Sequence, residues 1–303
     1  MDVAASINGW VGDVVDQIRS ISVPILVLAL ALHTCETLLN AVAWRNILRA
    51  AYPHGDVGFR PVLGAYGGGI ALNAILPAQA GTVAMVGLLR AQIRQSTLLG
   101  VVGAGVVQNA FFAVVGAFVA IVLVVSRPAS FEINSTWLTD HTVVGLGAAV
   151  LVAVVAWILV RRFRDTLAAA KEGAVILATP RRYATQVLAL EAASYLVRMT
   201  VTAMFMYAYD VPVSPRAILL IVGANSISST FAATPGGVGS QQALVTVVLR
   251  NYAPASTVTA YSLGQQLIIA AWDVALGLLL LWATIGWRAT HTLVRDRSSS
   301  TRP

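Results

Sequence analysis

Five long apolar stretches constrain the fold of this chain more than any other feature. They cover residues 23–44, 98–126, 142–160, 184–209 and 255–287. Each is close to or above the roughly 20 helical residues that cross a hydrocarbon core of about 30 Å. Of all 303 residues, 57% are hydrophobic and only 11% are charged, far from the composition of soluble domains. The sequence therefore predicts an all-α polytopic membrane protein.

Two further apolar segments are interrupted near their middle. Residues 61–89 contain LPAQAG, and residues 215–249 contain TPGGVG. Most of the resulting arms are too short to cross a membrane alone, so each segment is predicted to be a broken or re-entrant helical hairpin. Unpaired backbone groups in lipid cost several kcal/mol each, so each elbow should face protein or a wet cavity. The helix that resumes near Ser240 would point its positive end at the elbow, where an anion could bind.

The two halves of the chain repeat one pattern of features. Each has a span with one acid and one base, a proline-led hairpin with an Asn in its first arm, and a long span with an adjacent amide pair. The extra span 142–160 makes the second half enter from the opposite side, which predicts an inverted repeat with its site near the midplane. The predicted segments are an interfacial N-terminal helix (1–22), the first repeat (23–126), a linking span with a basic cytoplasmic loop (127–183), the second repeat (184–287) and a cytoplasmic tail (288–303).

Basic residues predict the orientation, because Lys and Arg beside membrane spans are retained on the cytoplasmic side. An outside N-terminus and a cytoplasmic C-terminus place most of the 20 Lys and Arg residues inside. We therefore expect a multi-pass protein of the inner (plasma) membrane. Topology also accounts for the net charge of +7, so nucleic acid is not an expected partner. The segments on the outer side of the membrane hold only four of the basic residues, Arg19, Arg127, Arg216 and Arg250, and Arg198 lies within a span.

Charged residues inside spans are costly and usually face an interior cavity. Glu191 and Arg198 are seven residues apart on one helix face, where they could pair, bracket a substrate or take part in an interhelical ion pair. Asp273 lies deep in the last span and is predicted to serve substrate or proton traffic. His33 and Glu36 are interpreted as a bundle contact, since two ligands do not make a metal site. The candidate coupling residues are Glu36, Glu191 and Asp273.

The run GAYGGG at 64–69 has the glycines of a nucleotide loop but lacks its GK[ST] ending and preceding strand. Small residues in an apolar helix favour close helix packing instead. The sequence has one cysteine, Cys35, and therefore no intrachain disulfide. Neither a cofactor nor a metal is expected.

The two elbow regions carry a family resemblance. NAILPAQAGTVAMVGLLR (73–90) and TPGGVGSQQALV (234–245) resemble the paired signatures of the lysylphosphatidylglycerol synthase transmembrane, or flippase-like, family. The resemblance implies movement of a polar-headed lipid between leaflets, such as an aminoacyl phospholipid or a polyprenyl-phosphate-linked sugar. Large members also carry a soluble aminoacyl-transfer domain, and the 16 residues after position 287 are too few for one. Lipid aminoacylation is therefore not expected.

This chain departs from the family pattern at three positions. Where the family usually has P-x-R-x-G-E, the chain has Gln79 and Thr82, and Gln242 replaces the glutamate of PGGxGxxE. Three charges of the family pattern are therefore absent, which affects the type of headgroup that can bind and any proton coupling at those positions. The candidate substrate-binding residues are Asn73, Pro77, Gln79, Gly81, Arg198, Asn225, Thr234, Pro235, Gly236, Gly237, Gly239 and Gln242.

A lipid flippase for a substrate with an anionic headgroup is the function that the sequence favours. One alternative is a membrane-embedded transferase for lipid-linked sugars, although loop 127–141 offers few catalytic groups. Another alternative is a non-transporting accessory subunit of a cell-envelope pathway, which would leave the buried charges unexplained. The chain is expected not to be an enzyme. A homo-oligomer is compatible with these features.

Overall fold

The computed structural model describes residues 21–77, 79–125, 171–230 and 239–286, and every regular element in these ranges is helical. The shorter elements are a 3₁₀ turn at Val175–Ala178 and π-helical turns at Ala184–Leu188 and Trp282–Gly286. The longer helices are α1 (Val23–Ala51), α2 (Phe59–Ile75), α3 (Ala80–Gln92), α4 (Leu98–Val125), α5 (Pro180–Ala208), α6 (Pro215–Thr230), α7 (Ser240–Leu249) and α8 (Ala255–Leu281).

Three helices are long and apolar enough to cross a membrane. They are α1, α5 and α8, the last counted through to Thr284. These helices confirm a multi-pass, all-helical membrane protein. Helix α4 extends over 28 residues within another predicted span. The predicted span 142–160 and nearly all of the predicted interfacial helix 1–22 lie outside the described residues.

The four remaining helices form two consecutive pairs, and the first pair is interrupted where the sequence predicts an elbow. Helices α2 and α3 have 17 and 13 residues, and α6 and α7 have 16 and 10. At about 1.5 Å per residue each is shorter than a hydrocarbon core of about 30 Å. Helix α7 begins at Ser240, as predicted. Residues 231–238 lie outside the description, and with them the candidates Thr234, Pro235, Gly236 and Gly237.

Prolines set several helix boundaries. Pro24, Pro180 and Pro215 lie in the first turn of α1, α5 and α6, where the missing N–H of proline has no intrahelical partner to lose. Helix α2 ends at Ile75, shortly before Pro77, because a proline ring disfavours helical backbone in the residue before it. The chain therefore breaks the first hairpin at a position that its own sequence specifies.

The helices of the two halves have matching packing partners. Helix α1 packs against α5, the corresponding first helix of the second half. Helix α2 packs against α8, and α6 packs against α4, so each half places a hairpin helix on the last helix of the other. Two apolar clusters form the core, one mostly from the first half with Trp44, Leu48 and Leu89, and one mostly from the second with Phe205 and Leu249.

Glycines allow the close contact between α2 and α8. A Cβ added to Gly277 would lie 2.2 Å from the carbonyl oxygen of Gly67 and 2.7 Å from Cβ of Ala71. On Gly68 it would lie 3.1 Å from Cδ1 of Leu281. The run GAYGGG therefore packs helix against helix, which confirms the interpretation made from the sequence.

Replacing Gly277 with alanine should force α2 and α8 apart. We expect a loss of stability of about 1–3 kcal/mol, because a methyl group inserted into a tight contact shifts backbone rather than a flexible side chain. Thermal unfolding in detergent measures this loss. Gly87→Ala in α3 is the matched control, because a Cβ there meets nothing within 4 Å. Equal melting temperatures for the two variants would contradict the close contact.

Candidate functional site

A polar seam joins α1 to α5. Asn40 Oδ1 accepts a hydrogen bond of 3.1 Å from Ser194 Oγ, and Arg198 Nε donates one of 2.8 Å to Glu36 Oε1. Further along, Asn46 Nδ2 donates to the carbonyl oxygen of Gln186 over 2.8 Å. From one hydrogen-bonded pair to the next, the residue numbers rise along α1 and fall along α5, so the two helices run antiparallel. The seam buries polar groups between the first helices of the two halves.

At one end of the seam, four charged or titratable side chains form a continuous cluster from three helices. Arg198 Nη2 on α5 lies 2.7 Å from Glu36 Oε1 on α1. His33 Nδ1 lies 3.4 Å from Glu36 Oε2, and its Nε2 lies 2.8 Å from Asp273 Oδ1 on α8. We call Arg198, Glu36, His33 and Asp273 the charge cluster. It connects helices of the first half to helices of the second.

Arg198 is the most accessible member of the charge cluster. Its side chain is 41% exposed, against 7% for Glu36, 16% for His33 and 14% for Asp273. The guanidinium carbon lies 5.1 Å from the ring centre of Phe112 on α4, a cation–π contact that supports it from one side. Because only part of its hydrogen-bonding capacity is used by Glu36, Arg198 can offer further donors to an anion.

The structure resolves which partners the buried charges take. Arg198 pairs with Glu36 and not with Glu191, so the interhelical ion pair is the arrangement observed. Glu191 is fully buried and accepts a hydrogen bond from the side-chain amide of Gln108 on α4. Asp273 is not a lone carboxylate, because His33 contacts it.

The first elbow is closed by its own side chains. Thr82 Oγ1 donates to Gln79 Oε1 over 3.0 Å, and Asn73 Nδ2 donates to Thr82 Oγ1 over 3.0 Å. Gln79 has a left-handed backbone with φ 59°. A Cβ on Gly81 would lie 2.1 Å from the carbonyl oxygen of Gly69 and 2.5 Å from the backbone nitrogen of Asn73. Helices α2 and α3 therefore meet backbone to backbone at this elbow.

The end of the second elbow is held by glutamine side chains. Gln242 Oε1 accepts a hydrogen bond of 2.6 Å from the backbone nitrogen of Gly239, whose φ is 93°. Gln242 Nε2 donates to Gln266 Oε1 on α8. Ser240 Oγ lies 2.8 Å from Ser228 Oγ on α6. The first turn of α7 is thus tied both to the elbow and to two neighbouring helices.

The sequence-predicted site residues fall into separate groups. The charge cluster joins three of them, namely Arg198, Glu36 and Asp273, whereas Glu191 lies with Gln108. Asn225 is on α6, and among the described residues its buried Oδ1 has no hydrogen-bond partner. The central place of His33 between two acids was not predicted. Its three-residue spacing from Glu36 was noted, but a second acid 240 positions away left no signal.

The comparison with known protein families agrees with a protein built from membrane helices. The model of the lysylphosphatidylglycerol synthase TM region matches residues 3–277 of the 303. The chain belongs to this family. Neither the curated proteins nor the solved structures give a significant match. Membership of the family places the protein in lipid or cell-envelope metabolism.

Proposed function

We propose that this protein is a lipid flippase, and not an enzyme, that moves a lipid with an anionic headgroup between the leaflets of the plasma membrane. The observation that carries the proposal is the charge cluster, in which an accessible arginine lies at the interface between the two halves. A charge in a membrane span is retained where it contacts substrate, ion or protein. Substrates in this class include modified phospholipids and polyprenyl-phosphate-linked sugars.

Two features support an inverted repeat with five spans and two re-entrant hairpins. The corresponding helices α1 and α5 run antiparallel, as inversion requires. The packing partners also correspond when the halves are exchanged, since α2 contacts α8 and α6 contacts α4. In transporters built this way, the site lies at the repeat interface and the halves move against each other around it.

Arg198 is the residue that we propose contacts the headgroup. A phosphodiester could use the guanidinium donors that Glu36 leaves available. The N-termini of α3 and α7 follow the two elbows and would favour negative charge near them. The side chains of Gln79, Thr82 and Gln242 are neutral and form hydrogen bonds within or beside the elbows. The elbows would therefore line the path of the lipid headgroup, and Arg198 would supply the cationic contact.

Liposome reconstitution tests the proposal. Vesicles of phosphatidylcholine with a trace of fluorescent phosphatidylglycerol would be treated with an impermeant quencher, and the second phase of quenching gives the flipping rate. We expect flipping of phosphatidylglycerol to exceed that of fluorescent phosphatidylcholine. A fluorescent polyprenyl-phosphate sugar in a parallel set distinguishes the two substrate classes. Rates equal to those of protein-free vesicles for all three lipids would overturn the proposal.

The proposed orientation makes its own prediction. In a Cys35→Ser background, cysteines at His54 and Asn251 would lie in exposed turns after α1 and after α7. With the N-terminus outside, His54→Cys should react with an impermeant thiol reagent only after permeabilisation, and Asn251→Cys should react in intact cells. The reverse pattern would require the opposite orientation.

A further inference from the structure

The imidazole of His33 lies between two carboxylates from opposite halves of the chain. Its Nε2 is 2.8 Å from Asp273 Oδ1, and its Nδ1 is 3.4 Å from Glu36 Oε2. A neutral imidazole has one N–H and one nitrogen lone pair, so one of these contacts would set a lone pair against a carboxylate. With both carboxyl groups ionised, both contacts are attractive only when both nitrogens carry hydrogen. The geometry fits an imidazolium.

The balance of charges in the cluster also favours a protonated His33. Glu36 and Asp273 are acids, and Arg198 supplies one compensating positive charge. With a neutral His33, one negative charge would have no partner within the cluster, and such a charge is costly at low dielectric. The further titratable groups facing the charge cluster among the described residues are Tyr66 on α2 and Glu191 and Tyr195 on α5, and none of them adds positive charge.

We propose that His33 is a proton-binding site that clamps α1 to α8. In the protonated state the imidazolium bridges Glu36 and Asp273 and holds the two halves together. When the proton leaves Nδ1 for water, the neutral ring keeps its Nε2–H on Asp273, Glu36 loses one of its two partners, and the clamp weakens. A neutral hydrogen bond of 3.0 Å from Trp272 Nε1 to Thr34 Oγ1 remains between the same helices.

Proton release at this site would control flipping. The halves of an alternating-access transporter must separate on one side, and opening is easier once the charged bridge is broken. This part of the inference rests on the proposed flipping function, whereas the proton site itself does not. The two parts are therefore tested separately.

Nitrogen-15 NMR of the histidine ring tests the proton site without any lipid transport. The variant His54→Gln, His141→Gln, His291→Gln keeps His33 as the one histidine. In detergent at neutral pH we expect both ring nitrogens of His33 to carry protons, and Asp273→Asn should shift the ring towards its neutral form. A neutral His33 in the presence of Asp273 would overturn the proton site.

The pH dependence of flipping tests the control. With fluorescent phosphatidylglycerol as the probe, we expect the flipping rate to rise about tenfold as the pH is raised and His33 loses its proton. His33→Gln, which cannot carry charge, should change less than about twofold over the same range. The exposed His54→Gln is the matched control and should retain the wild-type profile.

Each outcome decides one part of the inference. If His33→Gln does not fold, Asp273→Asn replaces it, since it removes the acid that faces Nε2 and should flatten the pH profile. Identical pH profiles for wild type and variant would overturn the clamp even where NMR finds the imidazolium. Absence of flipping by the wild type at every pH would overturn the proposed function together with the control, and the NMR result would still decide the proton site.

Discussion

Replacing Arg198 with glutamine is expected to abolish selective flipping of an anionic lipid and to destabilise the protein. The variant loses the accessible cation of the charge cluster and leaves the 7%-exposed Glu36 without its arginine. Breaking one partner out of a buried ion pair costs about 3–5 kcal/mol, and the partial exposure of Arg198 places the expected loss at the lower end. Flipping of fluorescent phosphatidylglycerol and the melting temperature measure the two effects.

Two further variants separate the headgroup contact from the structural one. Glu36→Gln with Arg198→Gln removes both charges, so we expect stability to recover while flipping stays lost. Arg198→Lys keeps a charge but cannot donate in a bidentate manner, so flipping should weaken rather than vanish. Normal flipping by the double variant would remove Arg198 from the headgroup site and leave it only a bundle contact.

Replacing Gln242 with leucine should have the second largest effect. The side chain is almost the same size, but it removes the acceptor for the Gly239 nitrogen and the donor to Gln266. Each buried polar group left unpaired costs about 1–3 kcal/mol. We expect the elbow of the second hairpin to loosen and flipping to fall by more than about tenfold.

Gln242→Glu is the matched control, because a carboxylate can still accept a hydrogen bond from the Gly239 nitrogen. Flipping should be largely retained, and rotation of the Gln266 amide would present a donor to the new oxygen. Hydrogen exchange at the backbone of residues 239–243 reports the state of the elbow directly. Unchanged exchange in Gln242→Leu would mean that the glutamine does not hold the elbow.

The sequence predicted the parts of the fold that depend on local chemistry. Long apolar runs predicted the helices α1, α5 and α8, because no other secondary structure satisfies its backbone within a single segment in lipid. Pro77 and the glycine run before it predicted where α2 ends and how closely it packs. Each of these features depends on residues that are close together in the sequence, so it can be predicted from the sequence directly.

The partners of the buried charges could not be predicted in the same way. Glu191 and Arg198 share one helix face, yet the arginine turns to Glu36 on another helix because α1 and α5 pack along that face. The contact between His33 and Asp273 depends on the register of α1 against α8, which no local pattern specifies. Such pairs follow from tertiary packing. A single sequence shows which charged residues are present, but it does not show which of them contact each other.

The exchange of packing partners between the halves bears on how the protein is made. Helix α2 ends at Ile75, and α8, which covers its glycine face, begins at Ala255. At about 5–20 residues per second, a ribosome needs roughly ten to forty seconds to make the chain between them. During that time Gly67 and Gly68 of α2 lack the helix that packs on them, and the first half has to wait in the bilayer until α8 is inserted. A chain truncated before α8 should therefore be recognised by quality-control proteases as unfinished.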